Sequence, residues 1–241
     1  MTQSHLTIAV GGIDTDVGKT YVTGLLARHL LQLGHTVTTL KLVQTGCTGI
    51  SDDIRLHRQL MGQPLSELDR DSTTCPYLFP FPASPLLAAR MVGQSIDEAV
   101  LDRSLSTLQQ RHTWVLVEGA GGLLVPLNAN LLLLDFYAAR RLPMILVGSP
   151  RLGSINHIRL SLEAIRARNL PLLGLVYNLH GEYPKEIVAD TLVECRKALA
   201  DYGFAQRLVI LPDIRESSSA AWQPLVDAAR QLQQGEGVQE A

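Results

Sequence analysis

The stretch Gly11-Gly12-Ile13-Asp14-Thr15-Asp16-Val17-Gly18-Lys19-Thr20 constrains this chain more than any other. An apolar run, Leu6-Thr7-Ile8-Ala9-Val10, precedes it, and a helical pattern from Tyr21 to Leu33 follows. A strand, a glycine-rich turn ending in Gly-Lys-Thr and a helix make up a phosphate-binding loop. Its backbone N–H groups and the helix N-terminus converge on one spot with partial positive charge. Lys19 adds a point charge for the outer phosphates, and the Thr20 hydroxyl is suited to Mg²⁺. The strict pattern wants glycine five residues before Gly18. Here that residue is Ile13, and the glycine is Gly12. The loop is a variant.

Downstream, short apolar runs alternate with longer amphipathic ones. Strands are expected at Leu6–Gly11, Val37–Leu42, Trp114–Glu118, Met144–Gly148, Leu172–Asn178 and Arg207–Leu211. Helices are expected near 19–33, 52–62, 95–111, 130–141, 154–168, 184–203 and 220–234. The strand segments are continuously apolar, as in strands covered on both faces. These signals predict an α/β fold, a doubly wound and mostly parallel sheet flanked by helices, of phosphate-loop NTPase type. Residues 1–241 are expected to form a single domain, with 233–241 as a disordered tail. Residues 75–85 carry four prolines, which disfavour helix and central strand. They read either as a rigid surface connection or as a substrate-lining loop.

Composition narrows the partners. A net charge of −2 supplies no general attraction to nucleic acid or anionic membrane. The N-terminus lacks the apolar core of a signal peptide, and no apolar run approaches membrane-spanning length. Cys47, Cys75 and Cys195 are widely spaced, with no metal or redox motif, and read as reduced thiols of a cytoplasmic protein. Any metal should therefore be oxygen-ligated.

Ligands of such sheets sit beyond the carboxyl ends of the strands, so strand-terminal residues carry the information. Lys41 closes the second run, followed by Val43, Thr45 and Gly46. It is either a solvated lysine at a sheet edge or a second cation facing a transferred phosphoryl group. Glu118 closes a buried run and precedes Gly119-Ala120-Gly121-Gly122. An acid there reaches Mg²⁺ or its water, and the glycines let backbone approach a ligand. Asp52 and Asp53 are N-capping acids, or one of them completes an oxygen set with Thr20 and Glu118. Residues 148–157 form a loop entering a helix, whose free N–H groups suit a carboxylate, unless Ser154 merely caps the helix. Asn178 ends the fifth strand, where its amide could read an adenine edge. His157 reads as structural, and the histidines at 5, 29, 35, 57, 112 and 180 carry no positional signal.

Taken together, these residues resemble the ATP-dependent dethiobiotin synthetase family. Gly12–Thr20 is similar to the family's G-T-D-T-x-V-G-K-T, and Lys41–Gly46 to K-P-V-x-[ST]-G. Pro76-Tyr77, Phe79, Ser84-Pro85, Val115–Gly122, Leu142-Pro143 and Leu152–His157 follow in the family's order. Ile13 stands where the family usually has Thr, and Leu42 where it has Pro. The resemblance implies carboxylation and ring closure of 7,8-diaminopelargonate with CO₂ and ATP, with Mg²⁺ as cofactor. It implies that Lys41 and Lys19 neutralise charge, and that Thr20, Asp53 and Glu118 hold the metal. Asp16, Val17, Gly18, Lys19, Thr20, Tyr21, Asp53, Glu118, Gly119, Ala120, Gly121 and Asn178 would bind ATP. Thr15 and Thr45 would hold the carbamate end of the substrate. Ser154, Ile155 and Asn156 of a partner subunit would take its carboxylate, giving a homodimer without nucleic-acid or membrane partners. Asp53 is favoured over Asp52 because it precedes apolar Ile54, as in the family.

Two rivals remain. One is a partition or positioning switch ATPase, whose K-G-G-x-G-K-T loop carries a lysine four residues before the last glycine. Asp14 occupies that position here. The other is a related carboxylate-activating ligase.

Overall fold

The computed structural model describes residues 5–212 and 219–239, excluding the side chains of 219, 220 and 236–239. In chain order the elements begin β1 (Leu6–Gly12), α1 (Lys19–Gln32), β2 (Val37–Lys41), β3 (Val43–Thr45), α2 (Asp52–Met61) and α3 (Glu67–Arg70). Next come β4 (Tyr77–Phe79), α4 (Pro85–Met91), α5 (Glu98–Gln109), β5 (Trp114–Gly122), α6 (Leu133–Ala139) and β6 (Met144–Gly148). The chain closes with α7 (Ser154–Ala167), β7 (Leu172–Asn178), α8 (Lys185–Asp201), β8 (Leu208–Leu211), a 3₁₀ turn (Ser219–Trp222) and α9 (Gln223–Gln239).

Among the described residues, six strands make the main sheet, in the order β2-β5-β1-β6-β7-β8, and every pairing is parallel. From β1 the chain winds outward to β2 on one side and to β8 on the other. The phosphate-loop strand therefore sits where the winding reverses, the position at which such sheets bind ligands. Strands β2, β6 and β7 are buried at every position, because helices cover both faces. One cluster of buried apolar side chains runs through the sheet, from Ile8 and Val10 to Leu146, Leu175 and Leu225.

The expected strands and helices are found, with shifted ends. β5 runs past Glu118 to Gly122, because Gly12 pairs with Gly122 after a register shift next to Val10. The 75–85 segment holds β4, which pairs in parallel with β3 in a separate two-stranded sheet. Its prolines keep it out of the central sheet, and Pro85 sits at the start of α4, where a missing N–H costs nothing. Helix α9 is described as far as Gln239, within the stretch from 233 expected as a disordered tail. Residues 213–218, which follow β8, lie outside the described residues. Among the described residues, no helix is long and apolar enough to cross a membrane.

Candidate active site

A cavity of about 480 Å³ opens beyond the carboxyl ends of β1, β2, β5, β6 and β7. The phosphate loop forms its floor. Gly18 has φ of 96°, in the left-handed region, and a Cβ there would lie 2.2 Å from Asn178 Nδ2. Only glycine satisfies both conditions. The displaced glycine of the motif is explained by packing as well. A Cβ on Gly12 would sit 2.8 Å from Val17 Cγ2 and 2.9 Å from Lys19 Cδ, so a bare backbone is needed at 12 rather than at 13. Ile13 instead is buried in the core.

Lys19 is buried and curls back so that Nζ donates to the Asp14 carbonyl at 2.7 Å. Burial, with repulsion from Lys41 added, lowers its pKa to about 8, against attraction from Glu118 and Asp53. Lys41 is buried at the end of β2, which settles against the solvated-lysine reading. Its ammonium lies 2.5 Å from Asp53 Oδ2 and 2.8 Å from Glu118 Oε1, and donates to the Gly119 carbonyl at 3.1 Å. Burial disfavours that charge, but Glu118 and Asp53 outweigh it and raise the pKa. Glu118 is fully buried; desolvation opposes its charge, while Lys41 and the His57 hydrogen bond prevail and lower its pKa.

Thr20 Oγ1 donates to Glu118 Oε1 at 3.0 Å. Thus the Thr20 hydroxyl and the Asp53 and Glu118 carboxylates converge around one positive charge. Among the described residues, no group of three or more His, Cys, Asp or Glu forms a metal cage. Two carboxylates and a hydroxyl nonetheless fit Mg²⁺, which retains waters and takes the rest of its ligands from phosphates. Asp53 lines the cavity, while Asp52 points to solvent. Neither acid caps α2. Ser51 does, accepting from the Ile54 N–H, and Gln44 Oε1 accepts both the Ser51 hydroxyl and the Asp53 N–H.

Thr15, Asp16, Thr45, Tyr21, Ala120 and Gly121 also line the cavity. Val17 and Gly119 stand behind the lining: the Val17 carbonyl accepts from Asn178, and the Gly119 carbonyl from Lys41. Asn178 lines the cavity, yet both ends of its amide are engaged within the protein. Nδ2 donates to Val17 at 3.1 Å and Oδ1 accepts the His180 N–H at 3.1 Å. Ser154, Ile155 and Asn156 do not reach this cavity within one chain. Ser154 is the first residue of α7 and not its cap; Gly153 holds that position, with no side chain to offer. The three cysteines are free and buried, and burial pushes the Cys75 and Cys195 thiols up to about 12. Such thiols are poor nucleophiles.

A family model described as an AAA domain matches residues 6–221. The chain is 49% identical to the ATP-dependent dethiobiotin synthetase BioD of Chlorobaculum tepidum over 214 residues, 89% of each chain. It is 46% identical to the ATP-dependent dethiobiotin synthetase BioD 2 of Haemophilus influenzae, over 73% of this chain and 92% of that one. The chain belongs to the ATP-dependent dethiobiotin synthetase family.

Solved structures share the fold of this synthetase family member. A chain of the MinC:MinD cell division complex of Aquifex aeolicus matches with a TM-score of 0.53 at 16% identity, over 95% of this chain and 96% of that one. A ParA family ATPase of Chlorobium tepidum TLS gives 0.53 at 14% identity, over 94% and 91%. At that identity the likeness concerns the fold alone. The switch-ATPase rival shares this architecture, but its loop lysine is Asp14 here, an exposed acid 3.7 Å from His157.

Several cavity residues escaped sequence reading. Gln44, Leu56, Ser149, His180 and Tyr183 line the cavity, and the buried Ser149 hydroxyl has no partner among the described residues. His57, which carried no positional signal, is fully buried with Nε2 2.8 Å from Glu118 Oε2. A signal existed. His57 lies four residues after Asp53, on the same face of α2.

Proposed function

We propose that this chain carboxylates 7,8-diaminopelargonate and closes the ureido ring of dethiobiotin, with ATP as phosphoryl donor. One amine adds to CO₂, losing a proton, to give a carbamate. A carbamate oxygen attacks the γ-phosphorus and the bond to ADP breaks. The second amine then attacks the carbonyl carbon of the mixed anhydride, expels phosphate and loses a proton. No protein nucleophile is needed, only positioning and neutralisation of gathering negative charge.

The observation that carries the reading is Lys41, a buried ammonium at the end of β2, outside the phosphate loop and ion-paired to Asp53 and Glu118. A second fixed cation beside the phosphate loop suits a carbamate turning into a carbamic–phosphoric anhydride, where negative charge gathers. Lys19 would face the β- and γ-phosphates, and Thr15 and Thr45, which line the cavity, would orient the carbamate end. Thr20, Asp53 and Glu118 would hold Mg²⁺, which when bound screens the charge of the phosphates. Tyr21 and Asn178 lie toward the base end of the nucleotide in this reading.

The reading includes a homodimer. Ser154, Ile155 and Asn156 begin α7 with no side-chain cap, so this helix N-terminus is suited to the substrate carboxylate of a partner's site. Leu152 beside it is 93% exposed and Leu160, on the same helix, 56%, which favours burial against a second copy. Residues 1–241 act as one cytoplasmic synthetase unit, without nucleic-acid or membrane partners, in keeping with the net charge of −2. Incubation with ATP, Mg²⁺, 7,8-diaminopelargonate and ¹³C-bicarbonate should give dethiobiotin carrying one labelled carbon by mass spectrometry. Unlabelled diamine recovered intact after ATP consumption would contradict the proposal.

A further inference from the structure

Behind the metal-binding acids lies a hydrogen-bond chain that the proposed reaction does not use. It begins at Asp69, whose carboxylate takes two bonds from Arg58, Nη2 to Oδ1 at 2.8 Å and Nε to Oδ2 at 3.0 Å. Arg58 Nη1 then donates to Thr39 Oγ1 at 3.1 Å. Thr39 Oγ1 lies 3.0 Å from His57 Nδ1. A carboxylate oxygen only accepts, so the His57 Nε2–H donates to Glu118 Oε2 at 2.8 Å. Thr39, His57 and Glu118 are fully buried, and Arg58 and Asp69 nearly so.

We propose that His57 is a positioning residue, orienting the Glu118 carboxylate for the cation at the phosphate end of the cavity. This rests on the reading of Thr20, Asp53 and Glu118 as Mg²⁺ ligands. The terminal torsion of a glutamate is broad and roughly two-fold, so its oxygens are not fixed by the rotamer alone. By occupying Oε2, His57 leaves Oε1 as the oxygen shared by Thr20 and Lys41. The fold builds the chain economically. On β2, Thr39 and Lys41 lie two residues apart on one face; on α2, Asp53 and His57 lie one turn apart. Each element supplies one residue to the site and one to its support. Outer partners of this kind typically alter metal affinity roughly 10–100-fold when removed.

Calorimetric titration of ATP at stepped MgCl₂, without the diamine, tests the assignment without turnover. His57→Leu should raise the Mg²⁺ concentration needed to tighten ATP binding roughly tenfold, while leaving metal-free ATP affinity unchanged. His57→Gln, whose amide N–H can reach Glu118, should recover most of the difference. If His57→Leu does not fold by circular dichroism, Thr39→Val should show a smaller rise in the same direction. A folded His57→Leu with unshifted Mg²⁺ dependence overturns the proposal, as does an equal loss of metal-free and metal-dependent affinity. If His57→Leu does not fold, an unshifted Thr39→Val overturns it. Wild-type binding indifferent to Mg²⁺ would instead retire the metal-site reading beneath it.

Discussion

The two ends of the cavity are built differently. At one end Lys41, Asp53, Glu118 and Thr20 lock together through ion pairs and hydrogen bonds of 2.5–3.0 Å, and Glu118 is fully buried. At the other, Tyr21 and His180 stack at 6.4 Å between ring centroids, His180 is exposed, and Asn178 is held by two hydrogen bonds. Charged groups held in advance cost little reorganisation when charge develops, so the first end is suited to chemistry. The second is suited to retaining a nucleotide, with contacts that are individually weak. Removing a group should therefore cost turnover at one end and affinity at the other.

Lys41→Ala should break that division most visibly. Ring closure is expected to fall by at least about 100-fold, with ATP affinity changed only a few-fold, checked by steady-state kinetics beside calorimetry. The same variant leaves Glu118 buried without its cation, so a lower melting temperature is expected too. Turnover equal to wild type would return Lys41 to a structural role. Gly18→Ala strikes where the two ends meet, since the new Cβ would collide with Asn178. Left-handed backbone strain of about 1–2 kcal/mol translates into roughly tenfold weaker ATP binding. Undiminished affinity would show that the loop adopts another conformation.

Proton linkage sharpens the contrast at Lys19. Its folded pKa of about 8 lies below the ordinary 10.5, so between these values the unfolded chain binds more protons. Nucleotide-free stability from this group therefore rises as pH climbs through that window. A bound triphosphate favours the charged lysine, so ATP binding near pH 8 should take up about half a proton. Calorimetry in buffers of different ionisation enthalpy measures this, and zero uptake would contradict the charge assignment. The smallest effect is expected from Tyr21→Ala, a KM for ATP raised up to roughly fivefold with kcat unchanged. A fall in kcat instead would blur the two ends.

Much of this was legible in the chain before its fold. The buried strands declared themselves because helices on both faces demand continuous apolar runs, as in Met144–Gly148. Glu118 and Lys41 were conspicuous for the opposite reason, charges closing such runs. The missing pieces were non-local. β3 and β4 have only three residues each and pair across residues 43–79, too short for any periodic pattern. The spacing of His57 from Asp53 put both on one face of α2, but its partner Glu118, 61 positions away, came beside it only through packing. Asn178, expected as a base contact, lines the cavity and also braces the loop through the Val17 carbonyl, a bond that no sequence pattern announces.

ADP release with Mg²⁺, bicarbonate and 7,8-diaminopelargonate each omitted in turn tests the central claim most directly. Release is expected only when all three are present, because phosphoryl transfer waits for a carbamate. Undiminished release without the diamine would contradict the synthetase mechanism and return the site to simple nucleotide hydrolysis.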